Sequence, residues 1–305
     1  MSAPKASQWA TLITEQRNPA SEQIDAVSTR EALQIINAQD QTVALSVEGE
    51  LDNISKATDL VYQALSTGGR LFYVGAGTSG RLGVLDASEC PPTYGVSPDL
   101  VQGIIAGGPA ALTRSQEGAE DAEEDGAKAL HDRDCTKQDV VMGIAASGVT
   151  PYVLGALQEA AKLGAKTIFF CCNPEAAKKV MADVHITPQV GPEVITGSTR
   201  MKAGTATKMV LNMITTTTMI KLGTVYENLM IDLTPSCQKL IDRAQRILCA
   251  ITDLSPTDSE KTLQGAQGDL KTAIVMTKRA VSYETARELL AHHQGNVRKA
   301  LEDEA

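Results

Sequence analysis

The chain has 305 residues, a net charge of −9, 43% hydrophobic residues and only 3% aromatics. That length suits one large α/β domain with a small appendage. A core so poor in aromatics must be built from Ala, Val, Ile, Leu and Met, as in parallel strands covered by helices rather than in a β-sandwich. The negative charge, with no basic stripe, argues against a nucleic-acid partner.

The first ten residues lack an apolar signal-peptide core and no stretch is long and apolar enough to span a bilayer, so no membrane partner and a cytoplasmic location are expected. Residues 1–25 are polar and unpatterned and read as a segment that wraps a surface or a partner. Ser28 and Glu31 form a capping box opening a helix with Leu33, Ile35 and Ile36. A second helical pattern runs from about Val43 to Leu65 and stops at Gly68 and Gly69.

An α/β rhythm follows. Strands are expected at Leu71–Val74, Val101–Ala106, Asp139–Ala145, Thr167–Cys172 and Val184–Thr187. Helices are expected at Arg81–Glu89, ended by Pro91 and Pro92, at about Glu117–Leu130, from Pro151 to Leu163 with Gly164 after it, and at about Thr199–Leu222. Such alternation predicts a doubly wound, parallel five-stranded sheet. In that architecture ligands sit beyond the carboxyl ends of the strands, which would gather loops 75–80, 147–150 and 191–199. No strand pattern appears after about residue 190. Short helices at Asp269–Arg279, Ser282–His292 and Asn296–Leu301 suggest a small helical domain. The expected division is 1–250 and 251–305.

Gly75-Ala76-Gly77-Thr78-Ser79-Gly80 has the spacing of a dinucleotide-binding turn. The acid that should close such a site is missing, because the second strand ends Ala106-Gly107-Gly108 and Asp99 precedes it. Thr78 and Ser79 instead suit a terminal phosphate at a helix start, where free N–H groups and the dipole favour anions. A purely structural tight turn is the remaining alternative. Ser147-Gly148-Val149-Thr150 repeats this chemistry after the third strand. Alone, it could be only a helix N-cap; two such loops on neighbouring strands make a phosphate cradle. No P-loop lysine motif occurs. The six cysteines (90, 135, 171, 172, 237, 249) form no C-x-x-C pair and read as reduced, mostly buried thiols. His131, His185, His292 and His293 lack zinc-type spacing, so neither a metal nor a cofactor is expected.

The two loops resemble the phosphosugar-binding loops of the sugar isomerase (SIS) superfamily. Leu85-Asp86-Ala87-Ser88-Glu89-Cys90-Pro91-Pro92-Thr93-Tyr94-Gly95, Glu117-Gly118-Ala119-Glu120-Asp121 and Gly197-Ser198-Thr199-Arg200-Met201-Lys202-Ala203-Gly204-Thr205 are narrower and resemble the N-acetylmuramic acid 6-phosphate etherases, bacterial cytoplasmic lyases of cell-wall recycling. The tail is similar to that family's ubiquitin-associated-like helical domain. The resemblance implies a phosphosugar substrate, a homodimer, and substrate binding by Gly77, Thr78, Ser79, Ser147, Gly148 and Thr150. Val149 departs from it, because a basic residue is expected there.

Glu89 follows Leu82, Val84 and Leu85 and precedes two prolines. A carboxyl in that setting would be partly desolvated and suited to general acid work, or it is simply an exposed helix-end acid. Glu120 lies in an acidic run that reads locally as a solvated helix face. The resemblance makes Glu89 the proton donor and Glu120 the second catalytic glutamate. The loop with Ser198 and Thr199 carries two cations, Arg200 and Lys202, that could meet the phosphate or the lactyl carboxylate or be surface charges near a dimer contact, and Met201, Met209, Met213 and Met219 read as core or dimer packing. An aldose–ketose isomerase and a non-catalytic phosphosugar sensor are the competing functions; the first would release no lactate, and the second would not need Glu89 or Glu120.

Overall fold

Glu31 accepts the Ser28 N–H at 2.9 Å while Ser28 Oγ accepts the Glu31 N–H at 3.3 Å, so the capping box starts helix α1, Thr29–Glu48. The computed structural model describes residues 9, 11–232 and 238–303. Cys237 lies outside the described residues. The helix expected from Val43 begins later. Val43 and Val47 are the buried stripe of α1 itself, Gly49 caps it on Leu45 O, and α2 spans Leu51–Ser66.

The strands and helices then alternate: β1 (Leu71–Gly75), α3 (Gly77–Tyr94), β2 (Val101–Ile105), α4 (Glu123–His131), β3 (Val140–Ile144), α5 (Pro151–Leu163), β4 (Lys166–Phe170), α6 (Pro174–Ala177), β5 (Val184–Ile186) and α7 (Lys202–Lys221). All neighbouring strands are parallel and the order is β2-β1-β3-β4-β5. Strand β1 therefore has β2 on one side and β3 on the other, and the winding reverses there, which opens a crevice at the carboxyl ends of β1 and β3.

Side-chain alternation sorts the two faces. Phe72, Val74, Val141 and Phe169 enter a core with Leu130 of α4 and Tyr152, Val153 and Leu157 of α5. On the other face Tyr73 meets α3 closely, since a Cβ at Gly83 would lie 2.9 Å from Tyr73 Cβ. Helices α4 and α5 cross at backbone contact. A Cβ on Gly126 would lie 1.9 Å from Tyr152 O, and one on Gly155 2.1 Å from Glu123 O.

Helix α3 does not stop at Pro91 and Pro92 but contains both. A proline ring is compatible with helical φ; what it removes is an N–H. The helical path runs on until Gly95, at φ +68°, bonds its N–H to Pro91 O at 2.9 Å.

The chain divides into two compact units, one of residues up to Ser88 with Pro98–Thr215, the other of Glu89–Ser97 with Thr216 onward. The second holds a small antiparallel hairpin, β6 (Val225–Tyr226) and β7 (Leu229–Met230), which corrects the expectation of no strand after residue 190. Two-residue strands are too short to show alternation. Helices α8 (Gln238–Thr252), α9 (Pro256–Gly265), α10 (Leu270–Arg279), α11 (Tyr283–His292) and α12 (Val297–Glu302) complete it. Leu248, Leu263, Ile274, Leu290 and Val297 share its core with Tyr226 and Ile231.

Candidate active site

The turn after β1 is tight enough to require glycine. A Cβ on Gly75 would lie 2.7 Å from the Gly80 nitrogen, and Gly77 opens α3 at φ +51°. The first backbone amide of this turn to find a carbonyl is that of Gly80, on Ala76 O at 3.3 Å. The amides of Gly77, Thr78 and Ser79 open α3, where an N–H has no carbonyl partner within the helix. Thr78 is half-buried and Ser79 buried, and neither hydroxyl has a hydrogen-bond partner among the described residues.

Gly75 pairs in register with Ile144 of β3, which places the turn after β3 beside it. Gly148 takes φ +84° and bonds its N–H to Ala145 O at 2.8 Å. Thr150 holds the N-cap position of α5, with Pro151 at the first turn, but its side chain makes no capping bond. Its hydroxyl and that of Ser147 are without a partner among the described residues. An N-cap role therefore does not account for this loop.

The helix expected over residues 117–130 is broken. Gly118 adopts φ +75°, Ala119–Asp121 forms a 3-10 turn, and α4 begins only at Glu123. Ala119 packs on the core, and the turn carries Glu120 to the wall of a cavity of about 240 Å³. Ala76, Gly77 and Arg81 line the same cavity, together with Glu117 and Gln116. Glu120 is exposed, as the acidic run implies, but it sits on a 3-10 turn whose cavity also takes in the start of α3 rather than on a regular helix face. Arg81 Nε donates to Leu112 O at 3.0 Å. A larger cavity of about 810 Å³ lies beside Gly148 and Val149, lined also by Leu154, Leu157 and Lys179, and its lining includes neither candidate glutamate.

Glu89 lies on α3 and is exposed, as is Leu85 one turn before it. The sequence neighbours that were expected to desolvate Glu89 do not enclose it. The buried carboxylate of this helix is Asp86, which accepts hydrogen bonds from Tyr73 Oη at 3.0 Å, Thr215 Oγ1 at 3.2 Å and Asn212 Nδ2 at 2.5 Å. Burial raises the Asp86 pKa above its usual value, opposed by those bonds. Sequence reasoning passed over Asp86; its place three residues before Glu89, on the inner side of the helix, was the available signal.

The 197–205 segment, the loop before α7 with the first turn of that helix, approaches the 75–80 turn at Gly204, where a Cβ would lie 3.4 Å from Thr78 Cγ2. Its cations divide. Arg200 is exposed, whereas Lys202 is only 2% exposed and donates from Nζ to Gln39 Oε1 on α1 at 3.1 Å. Burial pushes the Lys202 pKa down, opposed by the charges of Glu193 and Asp40. Lys202 is thus an interior group and not a surface charge. The fully buried Glu193 caps α7 with both oxygens, accepting the Lys202 and Ala203 N–H groups at 2.9 Å each. The N-terminal segment wraps this loop: Asn18 Nδ2 donates to Pro192 O, Ser21 Oγ to Val194 O and Gly197 N to Thr14 O.

Cys90, Cys135, Cys171 and Cys172 are buried thiols outside any disulfide and Cys249 is half-buried. Burial pushes the Cys135 and Cys171 thiols up to about 11. In the second unit His293 Nε2 lies 2.8 Å from Asp303 Oδ2, and His292 joins them within 4.8 Å. No helix among the described residues is long and apolar enough to cross a membrane.

Residues 53–161 match the glucokinase regulatory protein N-terminal SIS domain and residues 111–217 match the SIS domain. Over 294 residues the chain is 50% identical to an N-acetylmuramic acid 6-phosphate etherase of Aliivibrio fischeri, covering 96% of this chain and 98% of that protein. It is 52% identical over 293 residues to N-acetylmuramic acid 6-phosphate etherase 2 of Vibrio parahaemolyticus, covering 95% and 97%. A solved phosphoheptose isomerase from Neisseria gonorrhoeae aligns with a TM-score of 0.46 at 16% identity, over 61% of this chain and 99% of that one.

Proposed function

This chain belongs to the N-acetylmuramic acid 6-phosphate etherase family, and from that premise we propose how its residues carry the reaction. The enzyme is a carbon–oxygen lyase that cleaves the D-lactyl ether of N-acetylmuramic acid 6-phosphate, leaving N-acetylglucosamine 6-phosphate and D-lactate, a step in recycling cell-wall amino sugars. The observation that carries the site assignment is the shared cavity, in which Glu120, Gly77 and Arg81 line one wall-to-wall space.

The sugar phosphate is held by the free amides and hydroxyls of Gly77, Thr78 and Ser79 and by Ser147, Gly148 and Thr150. Ring opening exposes an aldehyde at C1, which makes the C2 proton acidic. Glu120 takes that proton. The electron pair forms the C2–C3 double bond while the C3–O bond breaks, and Glu89 protonates the departing lactate oxygen. Water then adds at C3 and a proton returns to C2. Electrons and atoms balance without hydride transfer. The role of Glu89 rests on its place in the 85–95 motif. The cytoplasm as the site of action and a homodimer as the assembly belong to the same proposal.

The test is lactate release from N-acetylmuramic acid 6-phosphate by chelator-treated protein, with Glu89→Gln and Glu120→Gln alongside. Lactate from the wild type and little from either variant is expected. Binding of the sugar phosphate with no lactate from any of them would favour a sensor, and carbonyl migration instead of lactate release would favour an isomerase.

A further inference from the structure

The substrate of the proposed reaction carries two anions, a phosphate on C6 and the carboxylate of the lactyl group. The two hydroxyl-bearing loops supply what a phosphate needs. They supply no cation for the second anion. The carboxylate is attached to the carbon that bears the ether oxygen, so it must lie close to wherever the C3–O bond is broken. If Glu120 works at C2, that place is the 240 Å³ cavity. Glu117 and Glu120 both line it, so a bare carboxylate entering beside them would be repelled. Arg81 is the one cation among the residues that line the cavity.

The Arg81 side chain is set up for this task. It follows Gly77 by four residues, one turn along the same face of α3. Its Nε is tied to Leu112 O at 3.0 Å, which fixes the guanidinium plane and leaves both Nη groups to donate. No carboxylate pairs with Arg81 among the described residues. A half-buried, oriented guanidinium with two parallel N–H groups fits the two oxygens of a carboxylate.

We propose that Arg81 binds the carboxylate of the lactyl group and thereby sets the preference of this enzyme for a carboxylated ether. The assignment rests on the etherase reading of the site. It makes Arg81 a specificity residue, separate from the groups that hold the phosphate.

The experiment compares three ligands on wild-type, Arg81→Gln and Arg81→Lys proteins whose thermal melts are first shown to match. N-acetylmuramic acid 6-phosphate and its neutral lactyl amide are compared by kcat/KM for ether cleavage and by calorimetric binding. N-acetylglucosamine 6-phosphate, which has the phosphate but no lactyl group, is the third ligand. The wild type should prefer the acid over the amide by about 10- to 100-fold. Arg81→Gln should erase that preference, Arg81→Lys should keep part of it, and the binding of N-acetylglucosamine 6-phosphate should change by less than about 3-fold in both. If Arg81→Gln weakens N-acetylglucosamine 6-phosphate as much as the acid, Arg81 serves the phosphate and the proposal fails. If the acid–amide preference survives in Arg81→Gln, it fails as well. A wild type that binds the acid over the amide but cleaves neither would sink the etherase reading while leaving the Arg81 contact standing.

Discussion

Tyr73 on β1 donates its hydroxyl to the Asp86 carboxylate on α3 at 3.0 Å. With Asn212 and Thr215 of α7 donating to the same carboxylate, one buried acid pins the helix that begins at the 75–80 turn to both the sheet and α7. Asp86→Ala strands buried donors and should lower unfolding free energy by about 1–3 kcal/mol, measured by urea denaturation, with a matching rise in KM. Burial lifts the Asp86 pKa above its usual 3.8, so the folded state holds this proton more tightly than the unfolded chain. The resulting stability is present in full below pH 3.8 and is lost as pH rises through the folded-state value. Stability–pH curves of wild type and Asp86→Asn should differ with that slope and sign.

Gly148→Ala places a Cβ 2.6 Å from Ala176 Cβ at a φ of +84°. The strain should cost about 1–3 kcal/mol and raise KM for the sugar phosphate at least tenfold. Ser79→Ala removes a hydroxyl without disturbing the turn, and should raise KM about tenfold with kcat nearly unchanged.

The division of labour between the glutamates is open to isotope exchange. Glu89→Gln and Glu120→Gln should each lower lactate release by at least about 100-fold. Incubation in deuterated water should still label C2 with Glu89→Gln and should not with Glu120→Gln. Full C2 exchange by Glu120→Gln would reverse the assignment.

Glu193→Gln keeps the volume of the cap on α7 but replaces one accepting oxygen with a donor. It should destabilise by about 1–2 kcal/mol, read as a lower midpoint in thermal melts. Glu193→Ala should cost more, because two buried amides lose their partner and the Lys202 ammonium loses its nearby opposing charge.

The sheet was legible in the sequence because five apolar runs were each followed by glycine-rich or polar turns, and the positive φ of Gly148 belongs to one of those turns, as that of Gly164 belongs to the expected end of α5. The unpartnered hydroxyls at 78, 79, 147 and 150 could be placed for the same reason. What local pattern could not show was anything fixed by distant contact. Glu120 is solvated as its acidic run implies, but its place at the cavity could not be read, since its turn depends on the left-handed Gly118 and on Ala119 docking in the core. Lys202 could be read only as an anion contact or a surface charge, since Gln39, which receives it, lies 163 residues away in sequence. The desolvation expected for Glu89 belongs instead to Asp86, because helical rotation and not sequence proximity decides which side chain faces inward.

The meeting of α4 and α5 has a consequence for the chemistry. Gly126 and Gly155 let two backbones touch, and α4 starts two residues after the turn that holds Glu120. A methyl group at either glycine would act as a wedge, lifting α4 from its seat and swinging the glutamate away from the mouth of α3. The reach of that carboxylate is therefore set by the missing atoms of two residues that lie outside its cavity.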